Sequence, residues 1–442
     1  MIQVGFKDIN MHHITLDATY NRYSKIANTF GSAIVLFLAL GYPIQCAVPL
    51  FLKVSSTPVN AAFRVLIALS SLVVIARLPF SLKKVSKGTF LLLLLWFIYS
   101  CRLFVDVSLR GIEFGNGRYS TFFMYSMAFA NCFLPVIAVA AAAPYIQIKQ
   151  FLKWAFIFAF VSNIIIFVSF FTTNGITMAL MSTRGALGDD DPSEAMINPI
   201  TISFYGMLLA VLSLSKLLFD APVSVKGKLG MFTCVLIGVA NVLLGASRGP
   251  FLSLILSVFI LFYFKLRMSR NTVSMVLKSG LVVFLLLGAM MISGVGSKIF
   301  SDDVFLFYRL THFFDNVANG EKEDRDYEYA SAWDQFSNHP VIGDKYVTDH
   351  SHIYPHNVFL ELLMSLGIVG GILFLLILFE VAVKAGYASR HRLHRHIALL
   401  LILLGYFLLS MTSGGVFITP GLWILLALFF EIKHTSFNES LN

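Results

Sequence analysis

Tyr354-Pro355-His356-Asn357 stands where a long polar stretch of the chain runs into an apolar run that begins near Val358. An imidazole at the amino-terminal end of a helix can move a proton beside a bound anion. Exposed N–H groups and the helix dipole attract negative charge there and favour the neutral ring that a base requires. Two other predicted helix starts have related wording: Asn198-Pro199 opens one apolar run and Gly249-Pro250 another. Proline suits a first helical turn because its missing N–H is not needed there. Arg184 precedes the first of these, and Arg248 abuts the second within Ala246-Ser247-Arg248-Gly249-Pro250. Guanidinium offers paired donors to phosphate oxygens and stays charged, so Arg184 and Arg248 are candidate ligands of a pyrophosphate without a metal. Each has a plainer reading beside it. Arg248 could be a snorkelling charge at a helix end, and Arg184 could belong to a solvated ion-pair loop with Asp189, Asp190, Asp191 and Glu194.

Other titratable groups carry weaker signals. His350, His352 and His356 read H-x-H-x3-H, but on a loop without a clear carboxylate or cysteine partner this spacing is a poor zinc signature, and no metal is expected. The run Asp189 to Asp191 reads as a polar loop tip. Glu361 falls one turn inside the helix that His356 opens; facing lipid it would cost about 2–3 kcal/mol or more, so it is expected to face the site or a polar partner.

The elements that hold these residues are membrane-spanning. The chain is 57% hydrophobic and only 13% charged, which excludes an ordinary soluble domain. A ruler of roughly 20 apolar residues per crossing predicts twelve spans, at 26–52, 59–79, 88–107, 119–143, 151–172, 196–218, 229–246, 249–266, 274–295, 357–384, 396–412 and 417–432. The first 25 residues are polar and carry Lys7, Arg22 and Lys25, so the amino terminus is expected in the cytoplasm. Threaded from there, both termini are cytoplasmic, Lys and Arg concentrate on the inward side and Asp and Glu on the outward side. The net charge of +9 is therefore topology rather than a nucleic-acid surface. Arg390, Arg392 and Arg395, interleaved with histidines on an inward loop, read as contacts to membrane lipids. Cys46, Cys101, Cys132 and Cys234 all fall inside apolar spans, so no disulfide framework is implied. The chain reads as one membrane-embedded domain, 1–442, with two long outer segments at 173–195 and 296–355. Within the second, Leu306, Leu310, Phe313 and Val317 predict a surface helix, and 327–336 a further one with Tyr329, Trp333 and Phe336 on one side.

These residues, in this order, resemble the bacterial O-antigen ligase and O-antigen polymerase superfamily. The resemblance rests on Ser247-Arg248-Gly249-Pro250, the long outer loop, Asn338-His339-Pro340-Val341-Ile342-Gly343, and Tyr354-Pro355-His356-Asn357 leading through Leu360-Glu361-Leu362 to Leu366-Gly367-Ile368-Val369-Gly370. It is specific from about 245 to 372 and rests on topology and Arg184 upstream. One departure is Asp344, where a Gly-x-Gly pattern is common. The resemblance implies an all-α, polytopic, GT-C-like membrane protein of the cell inner membrane. It further implies a metal-independent inverting glycosyltransferase without cofactor, working at the periplasmic face with a glycan on undecaprenyl pyrophosphate as donor. His356 would be the catalytic base, Arg184 and Arg248 the pyrophosphate ligands, and Arg325, Asn357 and Glu361 would position substrate. A flippase and a chain-length regulator are the protein partners such an enzyme works beside. The motif wording is closer to the polymerases, whose acceptor is a second lipid-linked repeat unit. A ligase, with lipid A core as acceptor, is the alternative. Twelve spans also suit a lipid-linked oligosaccharide transporter, but transporters place charges at mid-membrane and commonly show two related halves, whereas the notable charges here gather at the outer surface.

Overall fold

The computed structural model describes residues 19–52, 56–117, 119–178, 197–219, 224–268, 319 and 324–433. The expected ninth span at 274–295, the helix through Leu306 to Val317, Arg184, and Asp189 to Asp191 lie outside these residues. What is described is all-helical: α1 Thr19–Leu40, α2 Tyr42–Leu52, α3 Ser56–Arg77, α4 Lys87–Leu109, α5 Thr121–Tyr145 and α6 Ile148–Met178. There follow α7 Pro199–Phe219, α8 Val225–Gly245, α9 Arg248–Met268, α10 Asp324–Asn338, α11 Val358–Arg390, α12 His394–Thr412 and α13 Pro420–Glu431. Among the described residues ten helices are long and apolar enough to cross a membrane. Their outer faces carry exposed Val65, Leu66, Leu69, Phe97, Leu236, Phe259 and Phe379, the apolar belt that a bilayer covers.

Three expected spans differ from plain rods, each for a local reason. The first is broken at Gly41, between α1 and α2. Pro43 has no N–H to give to the carbonyl of Ala39, and the Tyr406 hydroxyl donates to that carbonyl instead (2.5 Å). The run expected at 357–384 is interrupted at Gly367, where φ is +63° and ψ −154°. A Cβ there would lie 2.5 Å from the Val341 carbonyl carbon, and one at Gly343, φ +70°, would lie 2.3 Å from the Ser365 carbonyl carbon. Two left-handed glycines thus let the 340–344 turn wedge into the helix break, sealed by hydrogen bonds from Ile368 N to Pro340 O (2.8 Å) and from Asp344 N to Met364 O (2.9 Å). Residues 361–367, before the break, are buried, whereas Ile368, Ile372, Leu375 and Phe379, from the break onward, are exposed. The lipid-facing part of α11 therefore begins at Ile368, later than the sequence suggests. The third difference is at 417–432: α13 has 12 residues, a rise of about 18 Å. It is buried from Gly421 to Phe430, so it is a core helix too short to cross a bilayer on its own.

Shortening α13 leaves the connection from Ser413 to Thr419 non-helical and largely inside the protein, with Gly414, Gly415, Val416 and Phe417 all buried. Buried backbone groups without helical partners must find others. Glu361 of α11, 0% exposed, accepts from Val416 N through Oε2 (2.9 Å) and from the Tyr99 hydroxyl of α4 through Oε1 (2.7 Å). Trp423 Nε1 of α13 donates to Val416 O (2.6 Å), and the Cys132 thiol of α5 to Phe417 O (3.3 Å). The loop is therefore a junction of four helices. Replacing Glu361 with Ala strands a buried hydroxyl and a buried amide, at about 1–3 kcal/mol each. Thermal unfolding of detergent-purified protein should show Glu361→Ala clearly destabilised and Tyr99→Phe much less so; a wild-type midpoint for Glu361→Ala would disprove the anchor.

Candidate functional site

His356 lies at the amino-terminal end of α11, two residues before Val358, with φ +57°. A left-handed conformation is unfavourable for a residue with a Cβ and persists only where its surroundings impose it. Here the next residue does so. Asn357 caps α11 through Oδ1, which accepts from Leu360 N (3.0 Å), while its Nδ2 donates to Met411 O at the end of α12 (3.1 Å). One residue on, Thr412 O accepts from Arg325 Nη1 (2.6 Å), and the Ser413 backbone hydrogen bonds with the His356 side chain. Three successive residues at the carboxyl end of α12 thereby bind Asn357, Arg325 and His356.

The turn that carries Arg248 packs on the same place. A Cβ on Gly249 would meet the Thr412 hydroxyl at 2.7 Å, so the amino-terminal turn of α9, which Arg248 opens, packs on Thr412. The local sequence explains the sharp entry into that turn: Ala246 has φ +44° and ends α8, and Ser247 N donates to Ser203 Oγ of α7 (3.2 Å). Helices α7 and α8 are held close by facing glycines, since a Cβ on Gly206 would lie 2.5 Å from Gly238 O. The helix turn that Arg248 opens therefore packs at the end of α12 that Arg325 and His356 bind, although 108 positions separate Arg248 from His356 in the chain.

The electrostatics suit a base. Burial, and then the Arg325 charge, push the His356 imidazole below the ordinary histidine value, against the opposing pull of Glu328 and the Ser413 backbone. The ring stands edge-on to Tyr354, centroids 4.6 Å apart, and Tyr354 in turn stacks on Phe114. Burial also raises the Tyr354 hydroxyl above the usual phenol range, so it is a proton donor at neutral pH.

Arg325 and Glu328 come from α10, which includes the helix expected at 327–336, but its most buried side is not the aromatic one: Tyr329 and Phe336 are half-buried. Its buried residues are Glu328, Ala332 and Gln335, while Trp333 is exposed. Polar pairing outweighs aromatic burial: Glu328 Oε2 accepts from Thr348 Oγ1 (2.7 Å), and Gln335 Nε2 donates to Val347 O (3.1 Å). Asp344, the departure from the family pattern, is an anchor of the adjoining loop. Its carboxylate pairs with Arg110 (3.2 Å), and its carbonyl accepts from both Arg102 (2.8 Å) and Arg110 (2.8 Å). Burial alone would raise that carboxyl, but the Arg110 and Gln335 hydrogen bonds outweigh it and hold the group below the usual carboxylate range.

Asn357 and Glu361, expected to position substrate, are occupied otherwise. Both polar atoms of Asn357 serve the backbone, and the Glu361 carboxylate is fully enclosed between Tyr99 and Val416. They position the turn on which His356 rests. Sequence reasoning missed Glu328, Tyr99 and the Met411–Ser413 carbonyls. Backbone carbonyls have no sequence signature, but a glutamate three residues after Arg325, on the same helical face, was a readable signal. The three histidines of the H-x-H-x3-H pattern are separated in role: His350 stacks on Tyr327, at 5.8 Å, and the His352 carbonyl accepts from Gly115 N (2.7 Å). Among the described residues no group of three or more His, Cys, Asp or Glu is arranged to hold a metal ion.

A search among curated proteins finds no match to the chain. Residues 233–375 match the family model described as O-antigen ligase. That segment holds Arg248, Arg325, His356, Asn357 and Glu361, and it supports a glycosyltransferase-like activity of the ligase or polymerase type. Over residues 233–375 the chain is thus similar to the O-antigen ligase family.

Proposed function

We propose that the protein is a repeat-unit polymerase for O-antigen or exopolysaccharide. In this reading it transfers a glycan from undecaprenyl pyrophosphate to a sugar hydroxyl of another lipid-linked repeat unit, at the periplasmic face of the inner membrane. The observation that carries the reading is the convergence of the Arg248 turn, Arg325 and His356 on Met411 to Ser413. A base and cationic groups at one turn are what transfer from a pyrophosphate needs. As the acceptor oxygen bonds to the anomeric carbon, the bond from that carbon to the pyrophosphate oxygen breaks on the opposite face, inverting the centre. His356 takes the acceptor hydroxyl proton, and the departing pyrophosphate takes the electron pair. Arg248, with Arg184, neutralises the charge that develops there, a role guanidinium fills without a metal. Pyrophosphate is already a good leaving group, so positioning and charge stabilisation carry most of the rate. Arg325 has two duties: it fixes the Thr412 carbonyl and it keeps the imidazole neutral.

The ligase reading uses the same donor chemistry and differs in its acceptor, lipid A core. Reconstitution separates the two. Purified protein given a single undecaprenyl-pyrophosphate-linked repeat unit should produce a ladder of longer glycans that vanishes in His356→Ala; product only after addition of lipid A core would make it a ligase. Arg248→Lys keeps the charge but not the paired donors, so at matched protein levels it should lose most of the activity, roughly tenfold or more for about 1.4 kcal/mol of lost transition-state stabilisation. Near-normal turnover in that variant would remove the clamp from the mechanism. Because a base acts in its neutral form, turnover should rise with pH to a plateau, with its inflection below the ordinary histidine value. Arg325→Gln removes a charge that lowers that value, so its inflection should move to higher pH; an unmoved inflection would detach Arg325 from the base.

A further inference from the structure

Beside the His356 turn lies a cavity of about 410 Å³ whose wall includes Tyr354 and Ser413, both of which touch His356. The remaining wall comes from α1, α2, α3, α5, α7, α12 and α13, so the break at Gly41 and the Ser413–Thr419 loop are what open it. Its single formally charged lining residue is Arg64 of α3, about 9 Å along the helix from Pro58. No lining residue is acidic, and among the described residues Arg64 has no carboxylate partner; its guanidinium lies over the Phe123 ring, 5.0 Å from the centroid. An arginine within an apolar span is costly to keep unless it faces a partner or a polar cavity. Asn131 of α5 also lines this space, and its Oδ1 is buried without a hydrogen-bond partner. A site that sets one positive charge among amide, hydroxyl, aromatic and aliphatic side chains suits an anion that also carries hydroxyl or N–H donors. The neighbouring face of α3 is lipid-like, with Val65 and Leu66, the two residues after the arginine, more than half exposed. An anion reaching Arg64 can therefore bring an alkyl tail that stays in the bilayer.

We propose that this cavity binds the pyrophosphate of a second polyprenyl-linked glycan, the acceptor, with Arg64 as its cation. The proposal rests on the polymerase reading, which requires two lipid-linked substrates at once. It gives them separate cations: Arg248 for the leaving donor and Arg64 for the acceptor, whose pyrophosphate is not broken. The acceptor's sugar would then extend past Tyr354 toward His356.

Direct binding tests this without turnover. Full-length protein in lipid nanodiscs, titrated with undecaprenyl pyrophosphate and weighed by native mass spectrometry, should bind two lipids in the wild type and one in Arg64→Gln. Arg248→Gln should also retain one, the lipid that Arg64 holds. Two lipids bound to Arg64→Gln with wild-type affinities would overturn the proposal while leaving the donor clamp intact. Two lipids retained in Arg248→Gln but not in Arg64→Gln would instead overturn the clamp and keep the Arg64 site. If Arg64→Gln does not fold, Arg64→Lys serves: loss of paired donation should weaken the second lipid by roughly tenfold, and unchanged affinity would count against the site. Undecaprenol bound with the same Arg64 dependence would show that the anion is not what is recognised and would also overturn it. Displacement of the Arg64-dependent lipid by inorganic pyrophosphate would identify the phosphate groups as the recognised element.

Discussion

The structure depends on keeping one stretch of non-helical backbone inside a membrane protein. From Ser413 to Thr419 the chain has left α12 and not yet begun α13, and its buried backbone groups lack helical partners. Side chains from elsewhere bond this loop and the last carbonyls of α12: Asn357 on Met411, Arg325 on Thr412, His356 on Ser413, Glu361 and Trp423 on Val416, and Cys132 on Phe417. The residues that could do chemistry are thus brought together because that loop must be satisfied. Architecture and site share the same hydrogen bonds, so a substitution at either is felt at both.

A second constraint is the wedge at Gly367. By inserting the 340–344 turn into α11, the fold couples the outer loop to the helix that carries His356. Asp344, tied to Arg102 and Arg110 at the end of α4, and Gln335, tied to Val347, close the same frame from the other side. Arg325 is held on α10 within this frame, so its guanidinium reaches Thr412 from a braced helix rather than a free loop. Bracing matters because the effect of a charge on a neighbouring imidazole falls off with distance and with exposure to water.

Much of this was legible beforehand. Apolar runs of about 20 residues mark most helices because lipid demands an unbroken apolar face. Proline and glycine punctuation marked the starts at Pro199, Gly249-Pro250 and Asn357, where α7, α9 and α11 begin. The break at Gly41 was also written in the chain, as Gly41 followed by Pro43, but a hydropathy ruler averages over it. Residues 417–432 were apolar for a different reason: they are enclosed by other helices, and burial in protein and burial in lipid demand the same composition. On α10 the most buried residues include Glu328 and Gln335 rather than the aromatic stripe, because both have specific polar partners, and such pairing has no periodic signature.

The sequence by itself determined that the chain is a bundle of apolar helices, and which helix starts carry an arginine or a histidine. Lipid and helix geometry act locally, so composition and spacing suffice to express them. Only the tertiary structure decided that Arg325 and His356 meet at one turn, that Asn357 and Glu361 hold that turn, and that Arg64 faces a cavity instead of lipid. Those facts rest on which backbone groups were left unsatisfied when the helices packed, and that depends on contacts between residues far apart in the chain.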